Sequence, residues 1–207
     1  SSREKDARLM KQLALGISPP PQPTLDNFVP GANVELVARL REFQAGDFPD
    51  IILYLWGEAG SGKSHLLHAC AGLHVVDDVE KLNEASQIEL FNAINEASQS
   101  GGKVLVAGNA PPSQLPLRED LKSRLAWGLV YQVKPLTDGE RAVFLRAEAE
   151  RRGMRVPEEV IGYLLTHVRR DLPTLASILD ELDRASLERQ RQITLPLVRE
   201  TLKAPEE

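Results

Sequence analysis

Apolar residues follow two different patterns on the two sides of residue 134. Before it, short unbroken apolar runs alternate with amphipathic segments, whereas after it apolar residues recur only at helical spacing. Unbroken runs are typical of strands buried on both faces, and strands that alternate with helices pair in parallel. The pattern therefore predicts an α/β fold, a parallel sheet with helices, followed by a small all-helical unit.

The first part of the chain contains four segments that are predicted as buried strands, namely 51–56, 73–78, 103–109 and 129–133. A helix is predicted before the first strand, with Asn33 as its N-cap and Gly46 as its stop. Its apolar face consists of Val34, Val37, Leu40 and Phe43. A second helix, around 83–99, carries Ile88, Leu90, Phe91 and Ile94. A shorter one is predicted around 117–125.

Four further helices are predicted after residue 134. The sequence TDGE at 137–140 is a capping box that opens the first of them, and Gly153 ends it. Pro157 suits the first turn of the second helix. Asp171 and Thr194 are candidate N-caps of the third and fourth. The third helix has an apolar face of Leu175, Ile178, Leu179, Leu182 and Leu187.

These patterns divide the chain into three parts: a tail, 1–23, ending in the proline-rich SPPPQP; an α/β domain, 24–134; and a helical domain, 135–207. The 207 residues, 42% hydrophobic and 27% charged, are enough for such a globular arrangement. A net charge of −5 argues against direct binding of duplex DNA, so any contact with DNA is expected to be mainly indirect. A single cysteine, and the lack of an apolar run that could span a membrane, predict a cytoplasmic protein without membrane contact.

A phosphate-binding motif lies directly after the first predicted strand. The sequence GEAGSGKS satisfies G-x-x-x-x-G-K-[ST] and is followed by a predicted helix. Its backbone N–H groups and its lysine are expected to surround the phosphates of a nucleotide, and Ser64 is expected to bind Mg²⁺. The cofactor-binding candidates are Gly57, Glu58, Ala59, Gly60, Ser61, Gly62, Lys63, Ser64 and His65.

An acidic pair, Asp77 and Asp78, ends the second predicted strand, at the edge of the sheet where ligands bind in open α/β folds. Asp77 is a candidate Mg²⁺ ligand together with Ser64, and Asp78 is a candidate for orienting the attacking water. The alternative is that the two carboxylates only cap the following helix.

Few residues separate the phosphate motif from this pair, since only 65–76 lie between Ser64 and Asp77. A helix of about three turns that crosses back over the sheet leaves almost no room for the additional strand and helix that many P-loop ATPases insert at this point. Either the protein lacks this inserted strand and helix, or residues are missing from the sequence between Cys70 and Leu73. The second alternative is favoured because no helix stop is evident in HACAGLHVV.

The order of further motifs resembles the DnaA family of AAA+ ATPases. The segment TLDNFVPGAN resembles the family's segment that lies beside the adenine of the bound nucleotide. KVLVAGNAPPSQL resembles the sensor 1 region, with Asn109 at the strand end. KSRLAWG resembles box VII, in which Arg124 matches the arginine finger. HVRRDLPTL resembles the sensor 2 helix, with Arg170 at the position that contacts phosphates. For both arginines the alternative role is an ion pair. Arg124 would pair with Glu119 or Asp120, and Arg170 would pair within the helical domain, which is the lid in the DnaA family.

The tail sequence QLALGI is similar to peptides that bind the DNA polymerase sliding clamp. The candidate partner-binding residues are Gln12, Leu13, Leu15 and Ile17. A disordered or amphipathic tail is the alternative interpretation. The family's helix-turn-helix DNA-binding domain does not follow the helical domain, which together with the tail favours a regulatory branch of the family.

The resemblance implies an AAA+ regulator of replication initiation, tethered to the sliding clamp, that stimulates hydrolysis of the ATP bound to DnaA. It implies ADP or ATP with Mg²⁺ as cofactors, and it leaves a homo-oligomer open. The protein's own ATPase activity is expected to be weak or to act in trans. Two alternatives remain, namely a stand-alone ATPase of the loader class and a non-catalytic adaptor gated by nucleotide. Trp56 and Trp127 are interpreted as core or interface anchors.

Overall fold

A computed structural model describes residues 22–169 and 171–203. The predicted clamp-binding residues in 12–17 and the sensor 2 candidate Arg170 lie outside the described residues. Within the described ranges, no helix combines the length and the apolar character needed to cross a membrane.

Four parallel strands form one sheet in the order β2-β3-β1-β4. The bounds are β1 Ile52–Trp56, β2 His74–Val76, β3 Val104–Gly108 and β4 Leu129–Gln132. The register pairs Trp56 with Gly108 and Val76 with Val106. The carboxyl ends of β1, β2 and β3 therefore lie side by side at one edge of the sheet, as the predicted α/β fold requires.

Helices cover both faces of the sheet, and a separate helical group follows it. The helices of the α/β part are α1 Val34–Ala45, α2 Lys63–Ala69, α3 Glu84–Ser100 and α4 Glu119–Trp127. Those of the second part are α5 Asp138–Arg151, α6 Glu158–His167, α7 Leu172–Arg189 and α8 Leu195–Lys203. The predicted fold class is confirmed by this arrangement.

The side-chain alternation of β1 separates two cores. Leu53 and Leu55 pack with residues of α1 and α2, whereas Ile52 and Tyr54 pack with residues of α3 and α4. Successive side chains of a strand point to opposite faces of the sheet. Consequently α1 and α2 cover one face of the sheet, and α3 and α4 cover the other.

The prediction that all four strands are buried on both faces is correct for β1 and β3 and wrong for β2 and β4. β2 and β4 are the edge strands, and Val75 and Val130 are each 37% exposed. An apolar run indicates a strand but does not show whether a neighbouring strand flanks it on both sides. The edge positions follow from the strand order, which the pattern alone does not specify.

The predicted face of α1 is shifted by two residues at its start. Val34 is 65% exposed, and Leu36 is buried instead, together with Leu40 and Phe43. Asn33 does not cap the helix through its side chain. Its amide instead donates to the Lys134 carbonyl at 2.7 Å and accepts from the Lys134 N–H at 2.8 Å.

The connection between α2 and β2 is short. α2 has seven residues, fewer than the three turns expected, and it ends at Cys70 in a turn in which the Leu73 N–H donates to the Cys70 carbonyl at 2.9 Å. The helix stop that the sequence did not reveal is therefore this turn. Whether a segment is missing between Cys70 and Leu73 stays a prediction, and an intact mass of 22.9 kDa would exclude a missing segment.

The helical domain has its own core, built from α5 to α8. The predicted capping box at Thr137 and the predicted N-cap at Asp171 are both confirmed. Leu175, Ile178, Leu179 and Leu182 are buried as expected. Leu187 is predicted on the same apolar face, but it is 71% exposed. Five residues after Leu182, position 187 lies off the buried face, which the partly buried Ala185 continues.

Candidate nucleotide site

The phosphate loop connects the buried strand β1 to the N-terminus of α2. Gly60 and Gly62 have φ angles of +79° and +102°, in the left-handed region that favours glycine. A Cβ atom on Gly62 would lie 2.8 Å from the ring of Phe28. The backbone of the loop thus depends on its glycines. The loop leads into the N-terminus of α2, where backbone N–H groups and the helix dipole favour the binding of an anion.

Lys63 lies over this loop. Its Nζ donates to the carbonyl oxygens of Gly57 and Glu58 at 2.7 and 2.9 Å. An ammonium group has three N–H donors, so one remains for a phosphate oxygen. Burial lowers the pKa of Lys63, and the nearby carboxylates of Asp77 and Glu80 oppose that shift. A bound polyphosphate would further favour the charged lysine.

Ser64 and Asp77 are in direct contact across the site. The Ser64 hydroxyl donates to Asp77 Oδ2 at 2.6 Å, and Asp77 Oδ1 accepts from the Asp78 N–H at 2.8 Å. A hydroxyl and a carboxylate are oxygen ligands of the kind that Mg²⁺ uses alongside water and phosphate. The donor set therefore fits Mg²⁺, and Ser64 and Asp77 would hold it. Among the described residues, no group of three or more His, Cys, Asp or Glu residues forms a metal site by itself.

Asp78, the candidate for orienting water, is engaged elsewhere in this structure. Its carboxylate forms an ion pair with Lys81 at 2.6 Å, and its backbone has a φ of +48°. A left-handed backbone is uncommon outside glycine, although aspartate tolerates it better than most residues. Asp78 also precedes a short 3₁₀ turn, Val79–Lys81, without capping it through its side chain.

Asn109 follows β3 at the same edge of the sheet. Its N–H donates to Glu80 Oε2 at 3.2 Å, and its side chain is exposed. Beneath this turn, the hydroxyl of the buried Tyr54 donates to the Ala110 carbonyl at 2.6 Å. Burial, followed by the charge of Glu80, raises the pKa of Tyr54, which therefore stays a neutral donor.

Glu80 and Tyr54 support the site and were not identified from the sequence. Glu80 lies three positions beyond Asp77, so a short spacing was available as a signal. Tyr54 reads simply as one member of an apolar strand. Its role depends on the register of β1 with β3, which brings it next to the turn after Gly108.

A cleft of about 430 Å³ lies between the phosphate loop and the start of the helical domain. It is lined by Glu58 and Ala59, by residues 135–138 and by Arg141. Arg141 is 7% exposed and pairs with Asp138 at 2.9 Å. The volume lies within the range of small-molecule sites. Both domains thus contribute to one opening beside the phosphate loop.

Two further cofactor-binding candidates, Ser61 and His65, differ in whether their side chains have a partner. Ser61 Oγ is the only buried side-chain oxygen or nitrogen without a partner within residues 22–169 and 171–203. A buried hydroxyl without a partner is costly, so a polar ligand in this loop would relieve it. His65 instead contacts the segment before α1, with Nε2 3.0 Å from the Thr24 carbonyl and its ring 5.3 Å from that of Phe28. His65 therefore connects that segment to α2.

Arg124 lies on α4, on the face of the sheet opposite α2. Its guanidinium carbon is 4.9 Å from the ring centre of Trp127 and 5.6 Å from that of Phe91. The alternative of an ion pair with Glu119 or Asp120 is wrong in this structure, because Glu119 pairs with Lys122 and Asp120 with Arg118. Trp127 is 71% exposed, so it is not a core residue.

Two family models match the chain. The one described as "Hda, lid domain" matches residues 138–202, and the one described as "Bacterial DnaA ATPAse domain" matches residues 70–132. The phosphate loop precedes both matched ranges, so its assignment rests on the motif and the geometry described above. The matched ranges support a DnaA-related replication regulator.

Solved structures show the same fold. Domain III of DnaA from Thermotoga maritima is similar with 23% identity and a TM-score of 0.71, over 88% of this chain and 98% of that chain. AMPPCP-bound DnaA from Aquifex aeolicus has 22% identity and a TM-score of 0.65, over 81% and 68%. The Thermotoga maritima RuvB branch migration motor has 19% identity and a TM-score of 0.64, over 87% and 71%.

These structural likenesses show the fold alone, and the family models add the assignment of both domains. The chain belongs to the DnaA family of AAA+ proteins, and its helical domain is a lid of the Hda type.

Proposed function

We propose that this protein is a nucleotide-binding regulator of replication initiation that stimulates hydrolysis of the ATP bound to DnaA. The observation that carries the proposal is Arg124, which lies on α4 with its neighbouring carboxylates paired to other residues. An arginine supplied to another protein's nucleotide stabilises the charge that develops on the transferred phosphoryl group. This effect is worth roughly 10³ to 10⁵ in rate in well-studied NTPases.

The protein's own site is proposed to bind ADP or ATP with Mg²⁺. The phosphate loop, the third N–H of Lys63 and the contact between Ser64 and Asp77 support this assignment. A related DnaA structure is described as bound to AMPPCP, which agrees with an adenine nucleotide in this fold. The cleft between the loop and the lid supplies space for it.

The nucleotide in this site is proposed to set the arrangement of the two domains rather than to be turned over rapidly. Asp78, which would orient the attacking water, is paired with Lys81 at 2.6 Å. A carboxylate held in an ion pair is a weaker partner for water than a free one. We therefore expect slow ATP hydrolysis by the protein alone.

The tail is proposed to bind the sliding clamp through Gln12, Leu13, Leu15 and Ile17, with contact to DNA made mainly through the clamp. Extended peptides of this kind place alternate apolar side chains into pockets of the partner. Replacement of Leu15 by alanine is expected to weaken binding to the clamp, and an unchanged affinity would overturn this part of the proposal.

The central test measures phosphate release from ATP-loaded DnaA in the presence of the clamp on DNA. Arg124→Ala is expected to abolish the stimulation. The matched control is Arg199→Ala, which removes an arginine over an aromatic ring of the lid, that of Tyr163 at 5.4 Å. The control is expected to leave the stimulation unchanged.

The two other functions considered for this chain give different results in the same assay. Rapid ATP turnover by the protein alone would identify a stand-alone ATPase of the loader class. If neither activity is found while nucleotide still binds, the protein is an adaptor that uses nucleotide only to set its shape. Either result would overturn the proposed function.

A further inference from the structure

The surroundings of Arg124 contain two aromatic rings, Phe91 on α3 and Trp127 at the end of α4. Both rings lie within about 6 Å of the guanidinium, the distance at which a cation is attracted to an aromatic face. Trp127 is 71% exposed, whereas Phe91 packs partly against the core of the α/β domain. The arginine is therefore held by one anchored ring and one solvent-facing ring.

The acidic side chains near Arg124 on α4 are paired with other basic residues. Arg118 donates to Asp120 from two nitrogens, at 3.2 and 2.8 Å, and Lys122 forms an ion pair with Glu119. The carboxylates nearest to Arg124 along the helix are thus already occupied. Arg124 lies in the last turn of α4, where the helix dipole favours a cation.

The chemistry of the contact matters for what the guanidinium can still do. An ion pair with a carboxylate occupies two of the five guanidinium N–H donors in a fork. A contact with the face of a ring occupies none, because the attraction is between the positive charge and the π electrons. Arg124 is thus positioned while its donors stay available for the oxygens of an anion.

We propose that Trp127 and Phe91 are positioning residues that present Arg124, with its N–H donors free, to the phosphate oxygens of a nucleotide on a second AAA+ subunit. The inference rests on the proposed function, since it concerns the same arginine. Neither ring is expected to touch the reacting atoms. Their effect is on the orientation of the guanidinium, and so on the rate of the step that Arg124 assists.

The kinetic test uses Trp127→Ala, Trp127→Phe and a control in the stimulated hydrolysis of DnaA-bound ATP. A misplaced catalytic group costs up to about 100-fold in rate, so Trp127→Ala is expected to lower the maximal stimulated rate about tenfold or more. Trp127→Phe keeps a ring face and is expected to restore most of that rate. The control is Leu187→Ala in the lid, whose side chain is also 71% exposed.

The split between rate and affinity decides the outcome. If Trp127→Ala raises only the concentration of protein needed for half-maximal stimulation, the ring is a docking contact and the proposal is overturned. An unchanged rate and concentration would overturn it as well. If Arg124→Ala itself leaves stimulation intact, the proposed function fails. If Arg124→Ala abolishes stimulation and Trp127→Ala has no effect, only the positioning role of the two rings fails.

A fluorescence measurement tests the contact without any activity. The chain has two tryptophans, Trp56 and Trp127, and a cation over an indole ring changes its emission. Arg124→Ala is expected to change the emission of the otherwise unaltered protein and to leave that of a Trp127→Phe variant unchanged. An equal change in both backgrounds would mean that Arg124 acts on Trp56 or on the fold, and would overturn the proposed contact.

Discussion

At the scale of single residues, Gly62 lies where the phosphate loop passes the ring of Phe28. Its φ of +102° is strained for any other residue, and a Cβ would lie 2.8 Å from a ring carbon. Phe28 also contacts His65, so the ring cannot move away without disturbing the start of α2. The loop's path and the segment before α1 therefore depend on the same glycine.

We expect Gly62→Ala to destabilise the protein by roughly 1 to 3 kcal/mol and to weaken ADP binding, since strain of this kind moves the loop. Thermal unfolding with and without ADP measures both effects. Gly72→Ala is the matched control, because Gly72 has open space around it and no positive φ. Equal effects of the two substitutions would contradict the role of Gly62.

Lys63 is the second residue whose surroundings predict a measurable property. Burial lowers its pKa below the ordinary 10.5. Its positive charge is therefore lost at a lower pH than that of an exposed lysine, and ADP affinity should begin to fall before pH 10.5 is reached. Titrations of ADP binding from about pH 7 to about pH 10 measure this decline.

Lys63→Arg separates this explanation from general alkaline damage to the protein. Arginine keeps its charge throughout that pH range, so the decline in ADP affinity should disappear, even if the affinity near pH 7 is lower. A decline of the same size in the arginine variant would show that another group titrates.

At the scale of elements, the sequence predicts the helices and strands whose identity depends only on the spacing of nearby apolar residues. The prediction of buried strands is correct for β1 and β3, because these two strands occupy the centre of the sheet, where both faces are covered. β2 and β4 have similar runs but lie at the edges, and that position depends on the other strands. The same limit applies to the site. The loop and the pair Ser64 and Asp77 follow from spacing, whereas Tyr54 contributes through the register of two strands.

The capping box of α5 is an element-scale feature that sequence and structure share. The Thr137 hydroxyl accepts from the Glu140 N–H at 3.2 Å, and Glu140 Oε2 accepts from the Thr137 N–H at 2.7 Å. We expect Thr137→Ala to cost about 1 kcal/mol of unfolding free energy. Urea unfolding measures it, with the exposed Thr166→Ala in α6 as the control, for which a change within about 0.5 kcal/mol is expected.

The cap also predicts a pH dependence. The bonds from Thr137 lower the pKa of Glu140 below 4.5 in the folded protein. A carboxyl group with a lowered folded pKa adds stability above its unfolded pKa and loses it as the pH falls through the folded value. The stability difference between Thr137→Ala and the unaltered protein should therefore shrink as the pH is lowered below about 4.5. Thr137→Ala keeps the backbone N–H that bonds Glu140 Oε2, so a difference that stays constant down to about pH 3 would show that the hydroxyl bond to Glu140 does not contribute.

At the scale of the whole molecule, the junction between the two domains is held by Asn33. Its side chain donates to the carbonyl of Lys134 and accepts from the N–H of the same residue, and Asn33 is only 4% exposed. Lys134 directly precedes the residues that line the cleft. Gly31, two residues before Asn33, lies against Leu136 and Glu140 at the start of the lid. The segment before α1 thus touches the loop, the junction and the lid.

This arrangement predicts that Asn33 couples nucleotide binding to the position of the lid. Asn33→Ala removes both hydrogen bonds and leaves the backbone of Lys134 without these partners, which costs about 1 to 3 kcal/mol. We also expect a smaller stabilisation by ADP, because the junction that lines the cleft is no longer fixed relative to the loop. Thermal unfolding across a range of ADP concentrations separates the two effects, since stabilisation by a ligand depends on its concentration and affinity. Asn92→Ala, an exposed position of α3, is the control for both. If ADP stabilises Asn33→Ala as strongly as the unaltered protein, the junction contributes to folding but does not couple the lid to the nucleotide.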